Sequence, residues 1–492
     1  MVTNNNRKRV AVIGAGIAGI ATAIRLAARG NKVDVYESND YPGGKLTEIK
    51  VGGYRFDAGP SLFTLPTLVE ELFLLCGEDP SEHFEYEKLK VNCHYFFEDG
   101  THLKAYDDQE KLIEEFSSKT TEHPQNIEKI LRKSSQLYDF LGDMFMFESL
   151  HDKRTFFSKR AFKAYRNIWK MDFFRTMDQA NAAQLTDPRL VQLFNRYATY
   201  NGSDPYQTPA TMNIIPHLEF GFGAFFPKKG MHSITTSLVE LAKRQGVKFH
   251  FSTPVEEILH EGNYITGLKT KGKEIKYDRI VSNMDILGTY RRLLPEKKPP
   301  KKLLSQPKSS SALIFYWGVK KKFPELDLHN IFFSGDYREE FSKIFRDRSI
   351  YHDPTVYINI TSKFKTDDAP PGCENWFTMI NVPNNSGQDW DQLIGQAREN
   401  IIKKLNHHLS VDLKSLIEAE EILEPRTIES RTSSSMGALY GNSSNNRFAA
   451  FLRHPNFSRK LKNMYFCGGS VHPGGGIPMC LSSAKIVDRY FE

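Results

Sequence analysis

Cysteine is scarce in this chain: five among 492 residues, at positions 76, 93, 373, 467 and 480, an odd number at wide spacing with no C-x-x-C pair. That argues against a disulfide framework and against a zinc site built on cysteine. His407 and His408 have no further ligand at metal-binding spacing, so no metal is expected. Long apolar runs are missing too. Residues 10–20 are apolar but hold three glycines, and they fall short of the roughly 20 residues that a membrane-spanning helix needs. The first ten residues are polar and then basic, with no cleavable signal after them. These absences lead to the expectation of a reducing, cytoplasmic location. The excess of positive charge is modest, +7 overall, so its distribution matters more than its total. Hydrophobic residues at 40% and charged residues at 25% describe a folded globular chain. Its length predicts at least two lobes.

The first forty residues carry a strong local pattern. Residues 9–13 read RVAVI, a short apolar run of the kind buried in a parallel sheet. Gly14, Gly16 and Gly19 follow in a GxGxxG turn, then apolar residues at helical spacing, then Gly30 where a helix should stop. A second strand runs to Glu37. In such a unit Gly14 permits the tight turn, Gly16 lets the backbone approach a pyrophosphate, and Gly19 lets helix and strand pack closely. Ile17 and Ala18 open a helix whose free N–H groups favour phosphate. Glu37 lies at the offset where an acidic side chain accepts from a ribose hydroxyl. A glycine-rich turn alone would be weak evidence. Strand, turn, helix, strand and acid together point to a dinucleotide.

A second loop follows: Ser38 through Lys45, with Gly43 and Gly44 at its centre, and then Gly59-Pro60-Ser61. Paired glycines let backbone lie against a large flat ligand, and a nicotinamide domain has no need of them. Residues 463–478 end in Cys467-Gly468-Gly469-Ser470-Val471-His472-Pro473-Gly474-Gly475-Gly476-Ile477-Pro478. On these segments the chain resembles the flavin amine oxidase superfamily, and within it the bacterial-type carotenoid desaturases. The resemblance implies FAD as cofactor. It implies an α/β fold: a Rossmann-type FAD-binding domain with an inserted α+β substrate domain and a helical membrane-facing part. It places the cofactor against Gly14, Gly16, Ile17, Ala18, Gly19, Glu37, Ser38, Gly43, Gly44, Lys45, Leu46, Gly59, Pro60 and Ser61. Later in the chain it adds Val255, Asn283, Met284, Gly468, Gly469, Gly476, Ile477 and Pro478. A helix is predicted from near Ile477, with Pro478 in its first turn. Its N-terminus would favour the negative charge of a reduced flavin, so no nearby Lys or Arg is required. His472 reads equally well as a turn residue.

The expected domains are discontinuous: 1–84, 226–294 and 426–492 for FAD, 85–225 and 295–425 for substrate. The first insertion reads as largely helical. The second reads as strands and loops, with the segment at Lys308 an ordinary loop. From 153 to 175 there are eight basic residues and seven aromatic ones, with only Asp172 opposing them. That spacing suits an interfacial helix on an anionic membrane surface, at the inner face of the cell membrane. A solvated helix packed on the core is the plainer alternative. No nucleic-acid recognition motif accompanies the charge, so no nucleic acid is expected.

The family resemblance implies a carbon–carbon desaturation. One hydrogen leaves as hydride to the flavin and one as a proton, with oxygen or a quinone as final electron acceptor and a lipophilic carotenoid as substrate. His217 and Glu219 precede the return to the cofactor domain and are candidates for the base. Arg196 is a candidate for gripping a polar substrate end. His217 and Glu219 read more readily as structural hydrogen-bond partners, and the segment around Arg196 otherwise reads as a helix ending in a turn. The stretch around His217 and Glu219, the turn at Lys229-Gly230-Met231 and the segment at Met436 look most like enzymes that desaturate hydroxylated carotenoids at the 3,4 position. Phytoene desaturation is the alternative within the family. A prenyl-binding escort-like protein without redox work is the alternative outside it.

Overall fold

The computed structural model describes residues 7–297, 299–301 and 305–492, so part of the polar start lies outside the described residues. The strand Arg9–Ile13 sits at the centre of a five-stranded parallel sheet. Its order is Met464–Phe466, Arg279–Ser282, Arg9–Ile13, Lys32–Tyr36, Lys248–His250. Start, middle and end of the chain therefore meet in one sheet. Side chains alternate across it. Val10 and Val12 pack under the helices Ile17–Ala28, His232–Arg244 and Ile477–Asp488. Ala11 and Ile13 face the other way, toward Ile258, Ile265 and Leu268 of a three-stranded antiparallel sheet. Both faces are covered, which is why this strand has no polar residue after Arg9.

A second, seven-stranded sheet stands apart from the first. Its order is Ile417–Leu423, Ser311–Val319, Glu374–Val382, Val356–Asn359, His329–Phe332, Val91–Phe96, His102–Tyr106. Only the pairing of His329–Phe332 with Val91–Phe96 is parallel. Ser311–Val319 is buried at every position. Leu313, Phe315 and Trp317 pack under the 20-residue helix Trp390–Leu409. Ala312 and Ile314 point to the opposite face and line a large cavity. That cavity lies between the two sheets and a helical layer that includes Tyr138–Gly142, Asp143–Phe147 and Ile215–Phe220.

The segment 85–225 is largely helical and also supplies Val91–Phe96 and His102–Tyr106 to the large sheet. Two expectations change. Between its loops the segment 295–425 holds the long helix Trp390–Leu409, whose many polar residues mask its apolar stripe in the sequence. Lys308 is no ordinary loop residue: it is buried and donates to Asn442 Oδ1 at 2.9 Å. No helix among the described residues is long and apolar enough to cross a membrane.

Candidate active site

One cavity of about 1410 Å³ runs through the interior. That exceeds the roughly 300–1,000 Å³ of an ordinary small-molecule pocket, and it leaves room for a dinucleotide and a long apolar molecule together. Its first end is made of backbone. The loops at Gly16 and Gly43 touch as an isolated β-bridge, and Gly43 N donates to Ala15 O at 2.8 Å. Every cofactor residue expected from the sequence lines this cavity except Gly19. Gly19 serves packing instead. A Cβ there would stand 2.1 Å from Gly14 O, so only glycine lets helix and turn close. Glu37 is buried, and its carboxylate does more than wait for a ribose. Oε2 accepts from Ala15 N at 2.8 Å, and Oε1 accepts from Asn39 N at 2.9 Å and Ser38 Oγ at 3.1 Å. It pins the glycine turn while lone pairs remain open to the cavity.

The twelve-residue helix Ile477–Asp488 points its N-terminus into the same space. Gly476 caps it at φ 100°, a backbone conformation that side-chain-bearing residues avoid, and a Cβ there would meet nothing within 4 Å. The opening is toward the ligand space. The helix is not alone there: two cations lie nearby, although its N-terminus by itself requires none. Lys45 Nζ donates to Leu439 O at 2.7 Å and Ala438 O at 3.1 Å. Burial lowers its pKa to about 8, against the opposing pull of Asp285. Arg453 lies against Gly474 and donates to Tyr440 O and Asn442 O, with burial lowering its pKa to about 10. Sequence reasoning missed Arg453, which belongs to no glycine motif, and gave no role to Tyr440 within the segment at Met436. His472 is a buried structural residue. Its Nε2 lies 2.8 Å from Glu148 O, and burial lowers its pKa to about 3.

Away from the glycines the wall is apolar: Leu141, Met144, Phe145, Leu218, Met379 and Leu423 all line it. A buried polar cluster around Arg196 interrupts it. Arg196 is buried between the rings of Tyr95, Tyr197 and Tyr200, 4.7–5.4 Å from each centroid. It donates to Tyr95 Oη at 3.0 Å and Tyr200 Oη at 3.2 Å. Tyr200 donates to Glu219 Oε2 at 2.6 Å, and Arg196 Nη2 lies 3.9 Å from that oxygen. Arg196, Tyr200 and Glu219 face the cavity. His217 does not. Helix Ile215–Phe220 turns it to the far side, where its ring packs with Tyr138 and Phe222. Burial lowers its pKa. Its candidacy as a base is withdrawn. The sequence also missed His329, which lines the cavity from the large sheet.

The basic, aromatic segment is not one helix. Asp152 caps a 3₁₀ turn, Lys153–Phe157, and Ser158 caps the helix Lys159–Arg166. Asn167 ends that helix before a second turn, Ile168–Lys170. Its charges are opposed by more than Asp172. Arg154 pairs with Asp152, and Arg160 pairs with Glu148. Lys159, Lys163 and Arg166 have no ion-pair partner among the described residues. Trp169 is 91% exposed, Phe157 79% and Phe174 77%, far more than large apolar side chains usually are. Tyr165 and Ile168 are exposed and also line the cavity, so the cavity reaches the surface here.

A parallel sheet with a glycine turn, a pinning acid and a helix N-terminus aimed at a shared cavity is the architecture of a dinucleotide-binding protein. The chain belongs to the family described as flavin containing amine oxidoreductase, which matches residues 17–487. It is 52% identical to the 1-hydroxycarotenoid 3,4-desaturase of Flavobacterium sp. (strain P99-3), over 97% of this chain and 98% of the relative. It is 31% identical to the phytoene desaturase of Fusarium fujikuroi, over 98% of this chain and 88% of the relative. Among solved structures it is similar to cyclohexylamine oxidase from Brevibacterium oxydans IH-35A. There the TM-score is 0.61 at 16% identity, covering 99% of this chain and 98% of that chain, a likeness of fold. The protein is an FAD-dependent oxidoreductase. The residues present fit FAD: backbone cradles, an acid at the second strand and two buried cations beside a helix N-terminus.

Proposed function

We propose that this protein is a carotenoid desaturase that introduces the 3,4 double bond into a 1-hydroxycarotenoid. One observation carries the proposal: one cavity joins the glycine cradle, an apolar passage and a buried polar cluster. A polyene fits the passage, and a hydroxylated end fits the polar cluster. The 52% identical relative adds its own substrate to that reading.

FAD would be held by Gly14, Gly16, Ile17, Ala18, Glu37, Ser38, Gly43, Gly44, Lys45, Leu46 and Gly59-Pro60-Ser61, with Val255 beside the adenine. Asn283, Met284, Gly468, Gly469, Gly476, Ile477 and Pro478 complete the site. FAD bound there would supply a two-electron oxidant able to accept a hydride. The chain's own residues do the rest. The apolar wall aligns the substrate and excludes water. The helix Ile477–Asp488, with Lys45 and Arg453, offsets negative charge that develops beside it. Oxygen or a quinone would carry the electrons away. The division into an FAD domain of 1–84, 226–294 and 426–492 and a substrate domain of 85–225 and 295–425 belongs to the same proposal.

The segment 153–175 docks on the inner face of the cell membrane. Exposed Phe157, Phe162, Trp169 and Phe174 enter the lipid, while Lys159, Lys163 and Arg166 meet anionic headgroups. A carotenoid dissolved in the bilayer then enters beside Tyr165 and Ile168. An escort-like role fits poorly, because it has no use for an intact cofactor cradle. The test is expression in cells that make either phytoene or a 1-hydroxycarotenoid, with the products identified. Dehydrogenation of the hydroxylated substrate is expected. Conversion of phytoene alone overturns the substrate, and conversion of neither by FAD-loaded protein overturns the desaturase.

A further inference from the structure

Six polar atoms on nearly fully buried residues that line the cavity lack partners among the described residues: Asn92 Oδ1, Arg196 Nε, Asn201 Oδ1 and Nδ2, Glu219 Oε1 and His329 Nε2. The last two are the most informative pair; Glu219 is 2% exposed and His329 3%. Leaving such atoms unpaired in an apolar interior is costly, so they mark a place where something else supplies the bond.

The hydrogen-bonding characters of Glu219 Oε1 and His329 Nε2 are opposite. Asn359 Nδ2 donates to Leu328 O at 3.0 Å, which fixes the orientation of the amide. The same Nδ2 points at His329 Nδ1 at 3.2 Å, and Tyr357 Oη approaches that nitrogen at 2.7 Å. Nδ1 therefore accepts. Burial, with the charge of Arg196 nearby, lowers the His329 pKa to about 3, so the ring is neutral. A neutral imidazole that accepts at Nδ1 carries its proton at Nε2. His329 Nε2–H is thus a free donor. Glu219 Oε1 is a free acceptor, its other oxygen being held by Tyr200. An alcohol is the simplest group that answers both, because its oxygen accepts while its hydrogen is donated.

Position agrees with chemistry. Ser61, beside the glycine cradle, lies 2.8 Å from Tyr357 Oη, and Tyr357 reaches His329. Two hydrogen bonds separate the cradle wall from the donor. In a 1-hydroxycarotenoid the hydroxyl carbon is two bonds from C3, so an anchor for the hydroxyl must lie close to the reacting carbons.

We propose that His329 Nε2 and Glu219 Oε1 form a socket for the substrate's tertiary hydroxyl, and that this socket sets the enzyme's preference for a hydroxylated end. The inference rests on the desaturase proposal above. Arg196 acts behind it, balancing the carboxylate and fixing Tyr200. Glu219 is here a binding group, with no part assigned in proton removal.

The experiment measures kcat/KM of FAD-loaded protein on a 1-hydroxycarotenoid and on the same polyene without the hydroxyl. The wild type should prefer the hydroxylated substrate by about 100-fold or more, since a site built for a hydroxyl rejects the analogue that leaves it unpaired. His329→Phe and Glu219→Gln should each lower that ratio by about tenfold or more, mainly through KM. His329→Gln, which keeps an N–H donor near the Nε2 position, should retain more of the preference than His329→Phe. Flavin content reports the fold of each variant. If FAD-loaded His329→Phe or Glu219→Gln keeps the wild-type ratio, the socket is wrong and the desaturase proposal stands. If the wild type itself shows no preference for the hydroxylated substrate, the substrate proposal falls and the socket with it.

Discussion

At one end the cavity is bounded by backbone, and at the other by side chains. The cofactor end offers glycines, N–H groups and a helix N-terminus, so a ligand held there would meet mainly the main chain. The substrate end uses rings and long apolar groups drawn from several elements, with one buried polar cluster. A backbone surface has one acceptable residue at many positions. A side-chain surface has many acceptable residues at most positions and strict requirements only where a polar atom must be matched. The two ends should therefore fail differently: the first through the fold, the second through substrate choice.

Substitutions can break that comparison. The largest effect is expected at Gly19, where a side chain would overlap the carbonyl of Gly14. Gly19→Val should destabilise the protein by about 3 kcal/mol and abolish FAD retention; flavin content after purification and a denaturation midpoint check it. Normal FAD loading would show that the turn can relax. At Glu37 the loss is shared between ligand and fold. Glu37→Ala should weaken FAD binding about tenfold or more and also lower stability, because Ala15 N and Asn39 N lose their acceptor. Fluorescence titration with FAD reads the first and urea denaturation the second. A weaker cofactor at unchanged stability would mean that the carboxylate does not pin the turn.

The mouth of the substrate end should lose membrane affinity with little loss of fold. Replacing Trp169 and Phe174 together by alanine should reduce binding to anionic vesicles about tenfold. Added salt should weaken binding of the wild type, and equal binding to neutral vesicles would remove the electrostatic part. The smallest effect concerns Lys45. Its folded pKa, lowered by burial to about 8, lies below the ordinary lysine value. Between those two values the unfolded chain holds more protons, so this group's contribution to stability rises as pH increases through the window. Apoprotein carrying Lys45→Met should lack that rise, measured as the difference in urea midpoint between the two proteins at pH 7.5 and 9.5.

What the sequence made legible follows the same division. Gly14, Gly16, Gly43 and Gly44 stand in short local motifs, because a backbone surface is written in consecutive residues. Glu37 is readable too, since one helix sets its distance from the turn. His329 is unreadable: it enters the cavity from a strand paired with Val91–Phe96, more than 230 positions earlier. His217 and Glu219 sit two residues apart, and only the helical twist of Ile215–Phe220 decides that one faces the cavity and the other does not. Arg453 carries no motif, since it is held by carbonyls of Tyr440 and Asn442 rather than by neighbours in sequence. The segment 153–175 was visible as composition. Its break at Ser158 and Asn167 depends on local capping.

The central claim is that the cradle and the apolar passage serve one reaction, oxidation of a polyene by bound FAD. Anaerobic mixing of FAD-loaded protein with an equal amount of a 1-hydroxycarotenoid tests it directly. The claim predicts loss of the oxidised flavin absorbance together with a product lighter by two hydrogens and longer in conjugation. Oxidised flavin that persists beside unchanged carotenoid would contradict it.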